Sequence, residues 1–474
     1  MTTNHSHPGS QHDLSAEGRH RLSRRYIPDK MRTVAQVLYG YSEDVGRGGL
    51  SFSDSDTLKK ALADSIFVAY GARDAIPVKI AKRTLLPSGG RDKSRIYFSA
   101  DTASSVDASF INGTMTRYLD YNDTFLSIED AHPSDNIPPL LGTADARGLR
   151  GKDLLKAMKV AYEIQCALCD AASLRDRGWD QVTYLAISSA AGAASLLGLD
   201  ETRFVNAINL AVSNNISLRQ TRVGELSMWK GCTAGDATRN GLFAALLAEG
   251  GLTGPSAVFE GEMGFFNQVT GKFSLDLGRN RVGRTMIKEY PVEYRVNSAV
   301  EAALALRKLT GMNNIKKVAV DTFSSALRIL VKDPEKLRPK TKETADHSMP
   351  YIIAYSLLYG APDLNAYGRR YLGDRRILDL MGKMSFSAQA RYDRIYPDKV
   401  PVKITLYSEG KRFEEEVLVP KGHYRDPFSW EDLKRKGMSI LNDEGAVDDI
   451  IDVVRNMDRM DASEILDVMA DVDS

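Results

Sequence analysis

Residues 117–142 read RYLDYNDTFLSIEDAHPSDNIPPLLG, and within them Asp120, Asp123 and Thr124 stand shortly before His132. Carboxylates and a hydroxyl beside an imidazole are costly to bury unless they serve one another or a ligand. Together they supply a proton acceptor, a proton donor and hydrogen bonds to a polar substrate, which are the needs of general acid–base chemistry. Asp120 and Thr124 are four residues apart, so they share a face if the preceding helical segment continues through them. The His132–Pro133 bond biases His132 toward an extended conformation, and a new helix is expected from about Ser134. A helix-capping cluster, with Asp and Ser merely satisfying backbone amides, explains the same residues. Spacing alone leaves both readings open.

Three more segments carry polar chemistry. SLRQTRVGELSMWKGCTAGDATRNG (217–241) places Arg219, Arg222, Lys230 and Arg239 among glycines, and IKEYPVEYRVNSAVEAAL (287–304) places Lys288, Glu293 and Arg295 ahead of an apolar helix. In TADHSMPYIIAYSLL, His347 and Tyr351 are at helical spacing. Arginine and lysine among small residues can hold carboxylates at close range. Basic segments, an acidic cluster and two histidines therefore suit a polycarboxylate ligand. No GxGxxG or Walker pattern is present, which argues against a dinucleotide or triphosphate.

These residues need a scaffold, and the chain is long enough to build one. It has 474 residues, 43% hydrophobic and 26% charged, enough for two or three domains. Sixty-three Lys and Arg face sixty-two Asp and Glu, so no overall bias draws it to nucleic acid or to acidic lipid. No apolar run approaches the roughly 18–20 residues that span a bilayer. Cys166, Cys169 and Cys232 form an odd, sparse set that suggests a reducing compartment rather than a disulfide framework. Cys166 and Cys169 would share one helical face and read as buried small hydrophobes. The first twenty residues lack a signal-peptide core, so a cytoplasmic location is expected, while the basic RHRLSRRY keeps a mitochondrial presequence open.

Helical periodicity is expected over 56–72, 153–171, 184–198, 202–217 and 236–249. The texture changes near 286: residues 316–331 open on a β-prone run, and 401–419 reads as a hairpin around Ser-Glu-Gly. Helices are expected at 298–311 and 347–360, and again in SWEDLKRKGMSIL and SEILDVMADV near the end.

LDYNDTFLSIEDAHPSDNI, WKGCTAGDATRNG, YPVEYRVNSAVEAAL and TADHSMPYIIAYSLLYG stand in an order and at spacings that resemble the 2-methylcitrate dehydratase branch of the MmgE/PrpD family. The resemblance covers nearly everything from Ile27 to His423. It implies a mainly α fold, with a large all-helical domain and a smaller inserted α+β lid domain. The expected boundaries are a disordered tail over 1–26, the helical domain over 27–285 and the lid over 286–425. C-terminal helices over 426–474 would return to the helical domain.

A homodimer without an iron–sulfur cluster, metal or other cofactor is implied as well. The implied reaction removes water from 2-methylcitrate, a small tricarboxylate, to give 2-methyl-cis-aconitate. Asp120, His132, Lys230 and Tyr351 are then the expected catalytic residues, with Asp120 or His132 as the base. Thr124, Arg219, Lys288, Glu293 and Arg295 are the expected substrate contacts. The family's cis-aconitate decarboxylase branch carries histidines where this chain has Asp180 and Glu293, and acids there resemble the dehydratases. Departures in YPVEYRVNSA and RVGELSMWKGCTAGDA keep two alternatives open: a longer-chain alkylcitrate of secondary metabolism, or a decarboxylase-like activity. Val292, Val296 and Met349 could line an alkyl slot or face the core.

Overall fold

A computed structural model describes residues 24–25, 32–86, 93–309 and 315–472. The expected disordered tail, 1–26, lies outside the described residues except for Arg24–Arg25, whose backbone pairs antiparallel with Asp276–Leu277. The fold is mainly α-helical with a smaller β-containing part.

The larger helical core is organised around Val182–Leu196 (α4), which is buried along almost its whole length. Its sequence is so rich in Ala, Ser and Gly that no face needs solvent, and neighbouring helices close on it from all sides. Phe52–Ala72 (α1) packs on Ser105–Tyr118 (α2), and against α4 itself lie Gly151–Ala171 (α3) and, in contact with α2 as well, Trp229–Glu249 (α5). The last of these starts at Trp229 rather than near 236, which puts Lys230 in its first turn. Helices α2 and α5 run antiparallel through a glycine seam. A Cβ on Gly113 would stand 2.7 Å from the Gly235 Cα, and one on Gly235 would stand 2.7 Å from the Phe110 carbonyl oxygen. Only the absence of both side chains lets the backbones approach so closely. The end of α2 is thereby delivered beside the start of α5.

The smaller unit has its own hydrophobic core, drawn chiefly from Met286 to Leu406. Its sheet contains Ile315–Thr322 (β1), Met384–Ala388 (β2), Val402–Ser408 (β3) and Lys411–Val417 (β4), in the order β4-β3-β1-β2. β1 and β2 are parallel and the other pairs antiparallel. The β3–β4 hairpin turns at Glu409 and Gly410, both at positive φ (52° and 74°), as a two-residue hairpin loop of this twist requires. Asn297–Leu309 (α6) lies on this hairpin and Met349–Tyr359 (α7) packs on α6.

After the sheet, Trp430–Leu441 (α8), Glu444–Asn456 (α9) and Ser463–Asp471 (α10) join the larger core. A Cβ on Gly437 of α8 would lie 2.9 Å from the Phe67 ring of α1, so these two helices also pack tightly. Backbone bonds of 2.8 Å in both directions between Thr124 and Met286 stitch the two units at their junction. No helix among the described residues is long and apolar enough to cross a membrane.

Candidate active site

The site forms where the end of α2, the start of α5 and the 286–295 connection meet. The helix stops at Tyr118 and does not continue through Asp120 and Thr124, so those residues do not share a helical face. Asp120 instead adopts φ +53°, a left-handed conformation that costs an ordinary residue about 1–2 kcal/mol. What the turn achieves is electrostatic. Lys288 Nζ donates to both the Asp120 backbone carbonyl (2.6 Å) and its Oδ1 (2.8 Å). Arg117, three residues earlier, donates to the same Oδ1 at 2.5 Å, and Lys230 reaches Oδ2 at 3.1 Å. Burial alone would raise the Asp120 carboxyl, but Arg117, Lys230 and Lys288 outweigh it and hold the group well below the usual carboxylate range. It is an ionised carboxylate with its lone pairs engaged.

His132 follows in an extended conformation ahead of a short 3-10 turn at Pro133–Asn136, and the α-helix starts at Ile137 rather than Ser134. Its Nδ1 lies 2.7 Å from the Asp123 carbonyl, a group that can only accept, so Nδ1 carries the proton. The lone pair is left on Nε2, which accepts from Arg117 at 2.9 Å, while the Thr124 hydroxyl stands 3.2 Å from Nδ1. Burial, then the charges of Arg117 and Lys288, push the imidazole well below its ordinary pKa. His132 is therefore neutral.

Asp120, Thr124, His132, Lys230, Lys288, Arg219, Glu293 and Arg295 all line one cleft of about 660 Å³, mouth included. They are not equivalent. Arg295 spends its guanidinium on Glu293, on Asp130 (2.6 Å) and on the Tyr396 hydroxyl (2.9 Å). Beside it Glu129 accepts from the Arg175 Nε at 3.1 Å, and the Arg175 guanidinium lies 2.9 Å from Asp130. Arg222 is held by Asp180 through contacts of 2.8 and 3.0 Å. Among the described residues, by contrast, the Arg219 guanidinium and the Lys336 ammonium meet no acidic partner, and both line the cleft. The lining carries seven cationic side chains against four acids. Immediately behind, Asp135, Asp180 and Asp346 stand against Arg175 and Lys342, so the positive excess of the lining is reduced but not cancelled.

Residues 49–278 match the MmgE/PrpD N-terminal domain and residues 290–459 the MmgE/PrpD C-terminal domain. The chain belongs to the MmgE/PrpD family. It is 33% identical over 406 residues to a 2-methylcitrate dehydratase of Escherichia coli, covering 78% of this chain and 82% of that one. A 2-methylcitrate dehydratase of Cupriavidus necator is 30% identical over 435 residues, 84% and 87% of the two chains. A fungal alkylcitrate dehydratase is 29% identical over 420 residues, 81% and 82% of the two chains.

Within this MmgE/PrpD chain, Tyr351 stands apart from the other expected site residues. It is buried in the smaller unit, its hydroxyl donates to the Ala366 carbonyl at 2.6 Å, and it is not part of the cleft lining. His347, expected on the same helix as Tyr351, precedes the α7 cap at Ser348 and faces the other way. Its Nδ1 is 2.5 Å from Asp346 and 3.3 Å from Lys230 Nζ, and its Nε2 is 3.4 Å from Asp120. Burial and then Lys230 push its pKa down to about 3.

Asp120, Asp346 and His347 are near enough to share an ion. The Lys230 ammonium already occupies that position, at 3.1, 3.5 and 3.3 Å from their ligand atoms. No cysteine joins that group; Cys166, Cys169 and Cys232 are buried, and burial raises each thiol's pKa. Val292, Val296 and Met349 face the second core, and the aliphatic lining comes from Leu126, Leu226 and Ile329. Sequence reasoning missed Arg117, the residue that joins Asp120 to His132. Its signal was its place three residues before Asp120 at the end of a buried helix.

Proposed function

We propose that the chain is a hydro-lyase that removes water from 2-methylcitrate to give 2-methyl-cis-aconitate, with no iron–sulfur cluster. The observation that carries this reading is the cationic excess of the cleft lining, which suits a polycarboxylate and surrounds a neutral imidazole and an ionised aspartate. In the reaction a C–H bond beside a carboxylate breaks, its electron pair becomes the alkene, and the C–O bond on the next carbon breaks as hydroxide takes a proton. His132 Nε2 is the better base, because it holds a lone pair while Asp120 is held ionised by Arg117, Lys230 and Lys288. A substrate carboxylate that draws Arg117 toward itself would release that lone pair at the moment of binding. Lys230 and Lys288, whose ammonium groups burial makes more acidic, can give the proton to the leaving hydroxyl. Arg219 and Lys336 offer unshared charge for the remaining carboxylates and for the negative charge that builds up as the proton leaves.

The proposed location is cytoplasmic, which the free buried cysteines suit, with a mitochondrial one as the alternative, and the proposed assembly is a homodimer. A second reading, a longer-chain alkylcitrate, is favoured by the fungal relative and by the aliphatic patch of Leu126, Leu226 and Ile329. The test is incubation with 2-methylcitrate and with ethyl- to hexyl-citrate, followed by ultraviolet absorbance of the conjugated product. A gain with the methyl substrate that survives chelation supports the first reading, and a kcat/KM maximum at longer chains supports the second. No gain with any of them overturns both.

A further inference from the structure

A second buried ion pair lies outside the cleft and takes no part in the chemistry above. Lys436 of α8 and Asp64 of α1 are 2.5 Å apart, and both are almost completely buried. Asp64 has no other hydrogen-bond partner among the described residues. Removing two charges from water is expensive, and apolar side chains of the same size usually hold two helices together as well or better. Packing of α8 on α1 is already secured by Gly437 against Phe67. What an ammonium supplies, and an apolar side chain does not, is a donor. Lys436 Nζ donates to the Tyr121 carbonyl at 2.9 Å and sits 3.8 Å from the centre of the Tyr121 ring.

That carbonyl is the one immediately after Asp120. The left-handed turn thus presents two consecutive carbonyls, each gripped by a buried lysine: Asp120 by Lys288 from the 286–290 connection, and Tyr121 by Lys436 from the C-terminal helices. The Tyr121 hydroxyl completes the brace by donating to the Glu289 carbonyl at 2.8 Å, next to Lys288. The peptide plane that follows Asp120 and the one that follows Tyr121 are thus both held from outside the turn, the first directly beside the Asp120 Cα and the second one residue further on.

We propose that Lys436 is a positioning residue for the reaction: it holds the Asp120 turn in its strained conformation through the Tyr121 carbonyl, while Asp64 balances its buried charge and so bears on stability rather than on turnover. This rests on the reading of Asp120 as part of the active site. Displacement of a reacting group by about 1 Å can lower turnover about 100-fold. The pair therefore acts on kcat more than on substrate affinity, since Arg219 and Lys336 do not depend on it.

The experiment uses three variants of the full chain, checked first by circular dichroism and thermal melting. Asp64→Asn keeps the donor, Asp64→Asn with Lys436→Met removes both charge and donor, and Asp64→Asn with Lys436→Gln restores a donor without charge. The expected result is kcat near the parent's for Asp64→Asn, about a 10- to 100-fold loss for the methionine variant at similar KM, and partial recovery with glutamine. Imidazole nitrogen resonances of His132, which meets Asp120 through Arg117, should shift in the methionine variant and stay in Asp64→Asn. Equal kcat in the methionine variant and Asp64→Asn overturns the proposal, as does an unshifted His132. A parent that turns over no alkylcitrate overturns the function proposed above, while the His132 resonances still decide the role of Lys436. Should the methionine variant fail to fold, the glutamine variant decides: its shorter amide should give a kcat below that of Asp64→Asn at similar KM with a shifted His132 resonance, and equality with Asp64→Asn in both overturns the proposal.

Discussion

Around the Asp120 turn and the start of α5, one carboxylate is shared by Arg117, Lys230 and Lys288, and elsewhere in the lining Arg219 and Lys336 add positive charge with no acid at ion-pair distance among the described residues. On the wall built from residues 129–130, 175 and 293–295, Arg175 and Arg295 are matched by Glu129, Asp130 and Glu293. Both walls bury charge. They differ in whether any of it is left over. Charges that saturate one another fix architecture, and charges with capacity to spare can act on a ligand. The sequence marks Arg219 and Arg295 as equivalent candidates, whereas their partners separate them.

Four substitutions break or sharpen this contrast. The largest effect is expected from Lys230→Met, which strips the cation shared by Asp120, Asp346 and His347. Loss of one such group from a transition-state site lowers kcat about 10²–10³-fold, and the melting temperature should fall too. A loss of only a few-fold would place the chemistry elsewhere. Arg295→Met should act on the fold instead: Asp130 and Glu293 lose their common partner, which costs about 3–5 kcal/mol in a denaturant titration, with turnover of the folded fraction little changed. Arg219→Leu inverts that pattern. An unpaired cation adds nothing to stability, so the urea midpoint should hold or rise, while KM rises about 10- to 100-fold for the loss of a charge-assisted contact of about 1.5–3 kcal/mol. The smallest change is Tyr351→Phe, which removes the hydrogen bond to Ala366 for about 1 kcal/mol of stability and leaves kcat intact. A collapse of kcat there would mean that Tyr351 turns into the cleft during turnover.

Much of the scaffold was legible because local physics was strong. The β3–β4 hairpin announced itself by alternating β-prone residues around Ser-Glu-Gly, and α4 by its unbroken small apolar run. Strand β2 escaped notice because MSFSA is a short edge strand, largely exposed, whose parallel pairing with β1 depends on residues far away in sequence. The end of α2 was harder still. No glycine or proline marks it, and an aspartate occupies a left-handed position where glycine is usual, because two distant lysines, Lys230 and Lys288, join Arg117 in rewarding that conformation. The neutrality of His132 was equally invisible, since it depends on Arg117 and on which nitrogen meets the Asp123 carbonyl. His347 and Tyr351 look like one helical pair on paper, but the Ser348 cap falls between them and divides their roles.

The glycine seam between α2 and α5 has a consequence for how such a cleft can diversify. With no room for a Cβ at Gly113 or Gly235, the spacing that brings Arg117 and Asp120 to Lys230 cannot drift by small steps. Ile329 and Lys336 sit across a different core, on short elements that have no such seam beneath them. Side chains on that half can therefore be exchanged singly, while the half that carries Arg117, Asp120 and Lys230 can change only as a unit.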